Sequence, residues 1–264
     1  MSELLKWDEI GKRFYEIGTR KGVIYPQASD GTYPEGEAWS GLSSVTQSPS
    51  GAEASKIYAD DINYLNIYSA EDFGGTIEAY SYPHAFAACN GEASLAKGVT
   101  IGQQARKSFG FCYRSVKGND IDGQAYGYKL YLIYGAKVSP SEKQHSTIND
   151  SPEPSPFSWE FTTTPVTVEG FDPAAYLSFD STETDAEFLT AIEAILYGTA
   201  AVYTETTDVT PSESKTYYTK SGNTYTEFTG DSFVTGTKYY EKTANEVPAR
   251  LPLPDEIREL AASL

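Results

Sequence analysis

The sequence predicts a mainly β fold with one convincing α-helix and a small β insertion. Its 21 tyrosines and 12 phenylalanines favour strands, because flat rings pack well on a pleated surface. The 22 glycines and 14 prolines punctuate the chain as turn residues do. Between Ser108 and Tyr134, large apolar residues recur at every second position, which is the period of a strand. A chain of 264 residues can form one large β domain with a small appended module.

The N-terminal part predicts a strand over residues 23–25, followed by a long loop over residues 27–37. The loop is rich in glycine, proline and aspartate, which are typical turn residues. Strand-like composition resumes over residues 39–45, and a turn is predicted near residues 48–51.

Two further strands are predicted over residues 56–59 and 64–68, on either side of Asp60-Asp61. A third strand follows over residues 75–82 and ends at a proline, which cannot donate to a strand ladder. A short helical turn is predicted around residues 84–86.

The strongest β signal is a long hairpin or pair of neighbouring strands. Phe109, Phe111 and Tyr113 alternate with smaller or polar residues, and the same period of two runs from Tyr126 to Tyr134. Glycine, asparagine and aspartate over residues 118–123 supply the turn.

A polar, proline-rich loop is predicted over residues 139–156. Residues 157–162 then alternate with their large rings on one face, as in a strand. We expect residues 166–168 to extend that strand.

One helix follows. Thr184 and Glu187 have the spacing of a capping box, in which each side chain satisfies a backbone N–H at the helix start. Gly198 stands where a left-handed C-terminal cap needs it. The apolar face predicted to lie on a sheet consists of Phe188, Ile192, Ile195 and Leu196.

Residues 199–243 differ in composition and contain a weak repeat, in which two Tyr-Tyr pairs occur within residues 215–220 and 237–242. They predict a surface-exposed insertion of three or four strands. The chain is therefore divided into a core domain (1–198), this insertion (199–243) and a C-terminal segment that returns to the core (244–264). A short terminal helix is expected over residues 255–260.

The net charge is −17, from 20 basic and 37 acidic residues. Because DNA is densely negative, this balance disfavours specific nucleic-acid binding. Two cysteines do not make a disulfide framework. The first nine residues carry acids where a secretory signal carries basic residues, and no apolar stretch reaches transmembrane length, so we expect synthesis in the cytosol.

No catalytic, cofactor-binding or metal-binding residues are predicted. His84 and His145 are far apart and have no ligand-spaced partners. Asp120, Asp122 and Gly123 match only a fragment of a calcium loop. Residues 98–102 lack the lysine of a phosphate loop, and Cys112 is expected to be a buried strand thiol.

Two alternatives stay open. Carboxylates at Asp60-Asp61, Glu71-Asp72 and Glu78 are of the kind that serves glycoside hydrolysis, although coincidental pairs are expected among so many acids. Flat rings stack on sugars, so the insertion's tyrosines are candidates for a carbohydrate-binding or adhesive β-sandwich module: Tyr217, Tyr218, Tyr225, Tyr239 and Tyr240. Cross-strand pairs that hold a small sheet together also explain these rings.

Several short blocks, in order and in register from about Gly11 to Gly198 and again after the insertion, resemble the major tail proteins of long-tailed, non-contractile bacteriophages of Gram-positive hosts. They are GVIYP (22–26), AWSGL (38–42), SPSGAE (48–53), YAD (58–60), IEAY (77–80), RKSFG (106–110), GYK (127–129), INDSPE (148–153) and LPLPDEI (251–257).

The resemblance implies a β-sandwich or half-barrel with one flanking α-helix and a long hairpin or loop. It further implies a non-enzymatic virion protein whose copies form hexameric rings that stack into a tail tube for genome delivery. Its expected partners are other copies of itself, a tape-measure protein, and tail terminator or tail-tip proteins, with no cofactor and no membrane. Its expected location is the virion, and the host cytoplasm during assembly.

The strand edges, the long loops and the acidic charge of the chain also agree with a tube-forming protein. Strand edges seek partners, and a ring of subunits satisfies them. The loops 27–37 and 139–156 are long for a compact domain, so we expect them to order against a neighbouring ring. An acidic channel repels DNA, so that DNA passes without specific binding.

Overall fold

The computed structural model describes residues 5–145, 147–148, 150, 154–208, 210–212 and 215–264. Outside it lie residues 1–4 at the acidic N-terminus, and parts of the predicted loop 139–156, of the block 148–153 and of the insertion. Strands predominate in the described part of the chain, which has 20 strands and three helices, and the prediction of a mainly β fold is confirmed.

The elements of the core precede and follow the insertion. The strands of the core are β1 (Tyr15–Pro26), β2 (Glu37–Trp39), β3 (Leu42–Gln47), β4 (Ser50–Gly51), β5 (Ala54–Ala59), β6 (Ile62–Tyr68), β7 (Glu71–Asp72), β8 (Gly74–Ala79), β9 (Ala93–Ala96), β10 (Val99–Ile101), β11 (Phe109–Asn119), β12 (Gly123–Val138), β13 (Phe157–Thr163), β14 (Val166–Val168), β15 (Phe171–Ala174) and β16 (Tyr176–Asp180). The helices are α1 (His84–Cys89), α2 (Ala186–Tyr197) and α3 (Pro254–Ser263).

One large antiparallel sheet organises the core, with strand order β2-β1-β11-β12-β13-β8-β3. The predicted long hairpin is its centre, because β11 and β12 pair along most of their length. The edge of β12 is shared by two strands, because β16 pairs with its middle and β13 with its end. Within the described ranges no sheet closes into a barrel.

The alternation of β11 and β12 divides the core into two clusters. Up to Tyr134, odd-numbered residues such as Phe111 and Ile133 face the aromatic cluster, and even-numbered ones such as Cys112 and Leu132 face the helix-side cluster. After Gly135, which has a φ of 60°, Ala136 and Val138 face the aromatic cluster. The aromatic cluster includes Trp39, Ile77, Phe86, Phe109, Phe111, Tyr113, Tyr131, Ile133, Trp159 and Phe161. The helix-side cluster consists of Val23, Tyr25, Tyr33, Cys112, Leu130, Leu132, Tyr134, Ile192, Leu196, Leu251 and Ile257.

Helix α2 lies on the sheet as predicted, with Ile192 and Leu196 buried. The predicted capping residue was wrong: Asp185, not Thr184, caps the helix, and its Oδ1 accepts hydrogen bonds from the N–H groups of Glu187 and Phe188. Thr184 instead belongs to the turn after β16, where its N–H donates to the Asp180 carbonyl. Gly198 ends the helix with a positive φ of 71°, but its ψ of 166° lies outside the left-handed helical region that the predicted cap requires.

Two strand predictions need correction. Residues 166–168 do not extend β13; they form β14, which pairs with β15 in a separate small hairpin. Gly170, with a φ of 81°, makes the turn between them. The sequence reading also missed β16, which gains its strand conformation from pairing with β12.

The loop over residues 27–36 is anchored to its own chain by Tyr33, and its ordering against a neighbouring ring stays a prediction. Tyr33 is 1% exposed and lies in the helix-side cluster. Its hydroxyl accepts hydrogen bonds from the Gly135 N–H (2.9 Å) and from Gln27 Nε2 (3.1 Å). Its carbonyl accepts from the Leu251 N–H, which fixes the C-terminal segment to the loop.

The insertion contains its own antiparallel sheet, in the order β17-β20-β18-β19. Its strands are β17 (Val202–Glu205), β18 (Tyr217–Ser221), β19 (Thr224–Phe228) and β20 (Tyr239–Ala244). Thr199 and Val247 join it to the core, since each donates its N–H to the carbonyl of the other at 2.9 Å. In the described residues, no helix has both the length and the apolar character needed to cross a membrane.

Candidate functional site

The hairpin of β5 and β6 is exposed along nearly its whole length, and only Ala59 is half-buried. In the described part of the chain these strands pair only with each other. Asp60 and Asp61 form its tip with φ angles of 52° and 61°, and two successive positive φ angles are typical of a type I′ hairpin turn. Six strand residues at about 3.4 Å each carry the tip about 20 Å from the base.

The side chains of this hairpin are apolar yet face solvent. Ile57 and Leu65 lie directly opposite each other across the strands, and both are exposed. Tyr64 and Tyr68 are 68% and 66% exposed. Large exposed apolar side chains on both faces of one hairpin are a feature of interaction sites in folded proteins. The hairpin therefore has the character of a docking element for another surface.

A second, shorter hairpin forms a separate two-stranded sheet. Strands β9 and β10 pair with each other, and all of their residues are exposed. Leu95, Val99 and Ile101 are its exposed apolar side chains. Gly98 makes the turn with a φ of 78°. The segment 98–102 is thus a hairpin arm, which the sequence reading did not predict.

A basic recess of about 250 Å³ lies at an irregular part of β1, where the strand departs from regular pairing. Register shifts on both sides of Arg20 leave it directly opposite Arg114. Lys21 has a φ of 51°, and its Nζ lies 5.2 Å from the centre of the Tyr197 ring. We call the surface lined by Arg20, Lys21, Arg114, Gln124 and Tyr128 the basic recess.

Only one cation of the basic recess is neutralised within the described chain. Arg114 forms an ion pair with Glu193 on α2 and lies 3.9 Å above the ring of Tyr128. Burial, together with the hydrogen bond that its hydroxyl donates to Glu193, raises the pKa of Tyr128 to about 12. Among the described residues, Arg20 and Lys21 form no ion pair.

The carboxylates considered for glycoside hydrolysis do not converge. Asp60-Asp61 lies at the hairpin tip and Glu71-Asp72 beyond its base, separated by β6, which spans about 20 Å. Glycosidase carboxylates stand roughly 5 to 9.5 Å apart. Glu78 accepts a hydrogen bond from the Ser44 hydroxyl at 2.8 Å within the β3–β8 pair.

The five tyrosines considered for sugar binding divide between two faces of the insertion. Tyr217 and Tyr239 are buried with Phe228 and Phe233. Tyr218, Tyr225 and Tyr240 lie on the opposite face. The ring of Tyr203 contacts that of Tyr218 and stacks on that of Tyr225 at 3.9 Å, and Tyr240 packs edge-on against Tyr225. These rings cover one another, and such cross-strand packing stabilises a small sheet.

The other residues considered for metal binding or catalysis lie at separate places in the fold. His84 and His145 are both exposed, in α1 and in the 139–156 loop. Cys112 is a buried strand thiol, as predicted, and burial raises its pKa to about 12. Asp120 accepts hydrogen bonds from the N–H groups of Gly11 and Arg13. Within the described ranges, no cluster of three metal-ligating side chains occurs.

No family model matches the chain, and a comparison with curated proteins finds no match.

Proposed function

We propose that this protein is a structural component that assembles with copies of itself into stacked hexameric rings, forming the tail tube of a long-tailed bacteriophage. The observation that carries the proposal is the β5–β6 hairpin, which presents apolar side chains and unpaired strand edges about 20 Å from its base. An isolated chain leaves these groups in water, whereas a neighbouring copy buries them.

The rest of the fold supports this reading. The β9–β10 hairpin provides a second exposed arm, and repeated identical contacts are what build a closed ring or a filament from one chain. The two clusters of the core are packed without these arms, so a copy can fold before it assembles. The arms are then free for contacts between copies.

The charge of the chain suits a conduit for DNA. With a net charge of −17, the average surface repels phosphate, and this repulsion decays over a Debye length of about 8 Å at physiological salt. DNA that passes through such a tube meets few places that retain it.

The first test is negative-stain microscopy and sedimentation of the concentrated protein. We expect the wild-type chain to form tubes or rings. Replacing Ile57 and Leu65 by serine should leave a folded monomer and raise the concentration needed for assembly about tenfold or more, because the hairpin loses the apolar area that a neighbour buries.

Val234→Ser is the matched control, because Val234 is 64% exposed but lies in the insertion. It should assemble at the wild-type concentration. The proposal is wrong if the hairpin variant assembles as readily as the wild type. It is also wrong if the wild-type chain stays monomeric at high concentration; glycan binding by that monomer would instead indicate the carbohydrate-binding module.

A further inference from the structure

We propose that the Asp60-Asp61 tip of one copy docks in the basic recess of the next, so that two carboxylates meet the cations of Arg20 and Lys21. This inference rests on the proposed function, and it names the two surfaces that join neighbouring copies. It commits to a second copy of this chain as the occupant of the recess.

Charge on the two surfaces is complementary. The recess holds two cations that lack carboxylate partners among the described residues, in a chain whose net charge is −17. The tip holds two exposed carboxylates that likewise form no ion pair in the described part of the chain. In such an acidic chain, clustered cations are scarce, which makes this recess a specific acceptor for acidic groups.

The shapes of the two surfaces also agree. The tip is a two-residue turn at the end of a narrow hairpin, and the recess is a concave site of about 250 Å³. Docking the tip brings the apolar strands of the hairpin against the surface of the next copy. The ion pairs then fix the register of a contact whose burial is mainly apolar.

The backbone of the recess is shaped to collect positive charge. Two register shifts in β1 place Arg20 opposite Arg114, although like charges that face each other across strands are destabilising. Glu193 neutralises the charge of Arg114 but not that of Arg20. The two carboxylates of a neighbouring copy offset the charge of Arg20 and so remove its repulsion with Arg114. Docking therefore stabilises the recess.

The test is a charge exchange, read by sedimentation and negative-stain microscopy. Asp60→Asn with Asp61→Asn removes the charge but keeps residue types that tolerate positive φ. Asp60→Lys with Asp61→Lys reverses it, and Arg20→Glu with Lys21→Glu reverses the recess. We expect each reversal to raise the assembly concentration about tenfold or more, and the combined reversals to restore assembly to near the wild-type concentration.

Lys220→Glu with Lys242→Glu is the matched control, because it changes the net charge equally at exposed lysines of the insertion. It should assemble like the wild type, and circular dichroism should show every variant folded. Raising the salt should weaken wild-type assembly more than that of the Asn variant.

Three results would overturn the docking. Normal assembly of the Arg20→Glu/Lys21→Glu variant would do so, as would a combined variant as defective as its parents. The docking would also be overturned if the Arg20→Glu/Lys21→Glu variant assembled normally but no longer bound a short DNA duplex that the wild type binds. The recess would then be a phosphate site. In all three the wild type still forms tubes, so the proposed function stands; a wild type that forms none rejects both proposals.

Discussion

At the residue scale, an ion pair between Lys117 of β11 and Asp180 of β16 links the two strands that pair with β12. Lys117 Nζ donates to Asp180 Oδ2 at 2.5 Å, and the other carboxylate oxygen accepts from the hydroxyl and N–H of Thr182. Partial burial alone would raise the pKa of Asp180. The hydrogen bonds from Lys117 and Thr182 outweigh it and hold this pKa below the ordinary value of 3.8.

Because the folded-state pKa is lowered, Asp180 contributes stability above the unfolded pKa and loses it as pH falls through the folded value. We expect Asp180→Asn to lower the free energy of unfolding at pH 7 by about 1 to 3 kcal/mol. The deficit should shrink as the pH falls below 3.8 toward the lowered folded-state pKa, because protonation of the wild-type carboxylate removes its advantage over asparagine.

Urea unfolding followed by circular dichroism at several pH values measures this effect. Asp172→Asn is the control, since Asp172 is an exposed carboxylate of β15. An Asp180→Asn deficit of the same size at pH 3 and pH 7 would contradict the electrostatic explanation.

The sequence did not predict this pair or the basic recess. Arg20 and Arg114, like Lys117 and Asp180, are distant along the chain, and only strand pairing brings them together. The irregular backbone near Lys21 has no recognisable sequence signal. By contrast, the burial of Cys112 was predictable, because its strand has a clear period of two.

At the element scale, the N-terminus of α2 is capped by the side chain of Asp185. The Asp185 carboxylate accepts from two N–H groups that have no partner within the helix. We expect Asp185→Ala to lower the free energy of unfolding by about 1 kcal/mol, because these donors lose their acceptor.

Thr184→Ala distinguishes this cap from the alternative. Thr184 contributes only its backbone N–H to the turn, so the variant should lie within about 0.5 kcal/mol of the wild type. Denaturant titration measures both variants. A larger loss for Thr184→Ala than for Asp185→Ala would place the cap one residue earlier.

Predictability also varied between elements. Long alternating strands such as β11 and β12 were evident, since many residues report the same period. Short strands such as β10 and β14 contain too few residues to show one. The strands β5 and β6 were predicted, but not their exposure, because an apolar strand looks the same in sequence whether its own core or another molecule covers it.

At the scale of the whole molecule, the hydrogen bonds that join the insertion to the core within the described ranges lie at one bridge. Thr199 and Val247 face each other with two mutual hydrogen bonds, the geometry that closes a two-residue hairpin loop. Between them the insertion has its own strands and its own buried tyrosines, Tyr217 and Tyr239.

We expect residues 200–246 to be replaceable by Asn-Gly without unfolding the core. The melting temperature should change by only a few degrees, since the bridge that closes the loop is kept. Under the proposed function, the shortened chain should still form tubes. Calorimetry and microscopy measure both properties, and a chain that no longer folds would show that the insertion is part of the core.

The central hairpin of β11 and β12 serves as a common wall between the two clusters. Because its side chains alternate between them, a slip of one residue in β11 would carry Phe111 to the helix side, and the same slip in β12 would carry Leu132 to the aromatic side. Neither compartment can loosen while the other stays intact, so the wall makes the two behave as one cooperative unit.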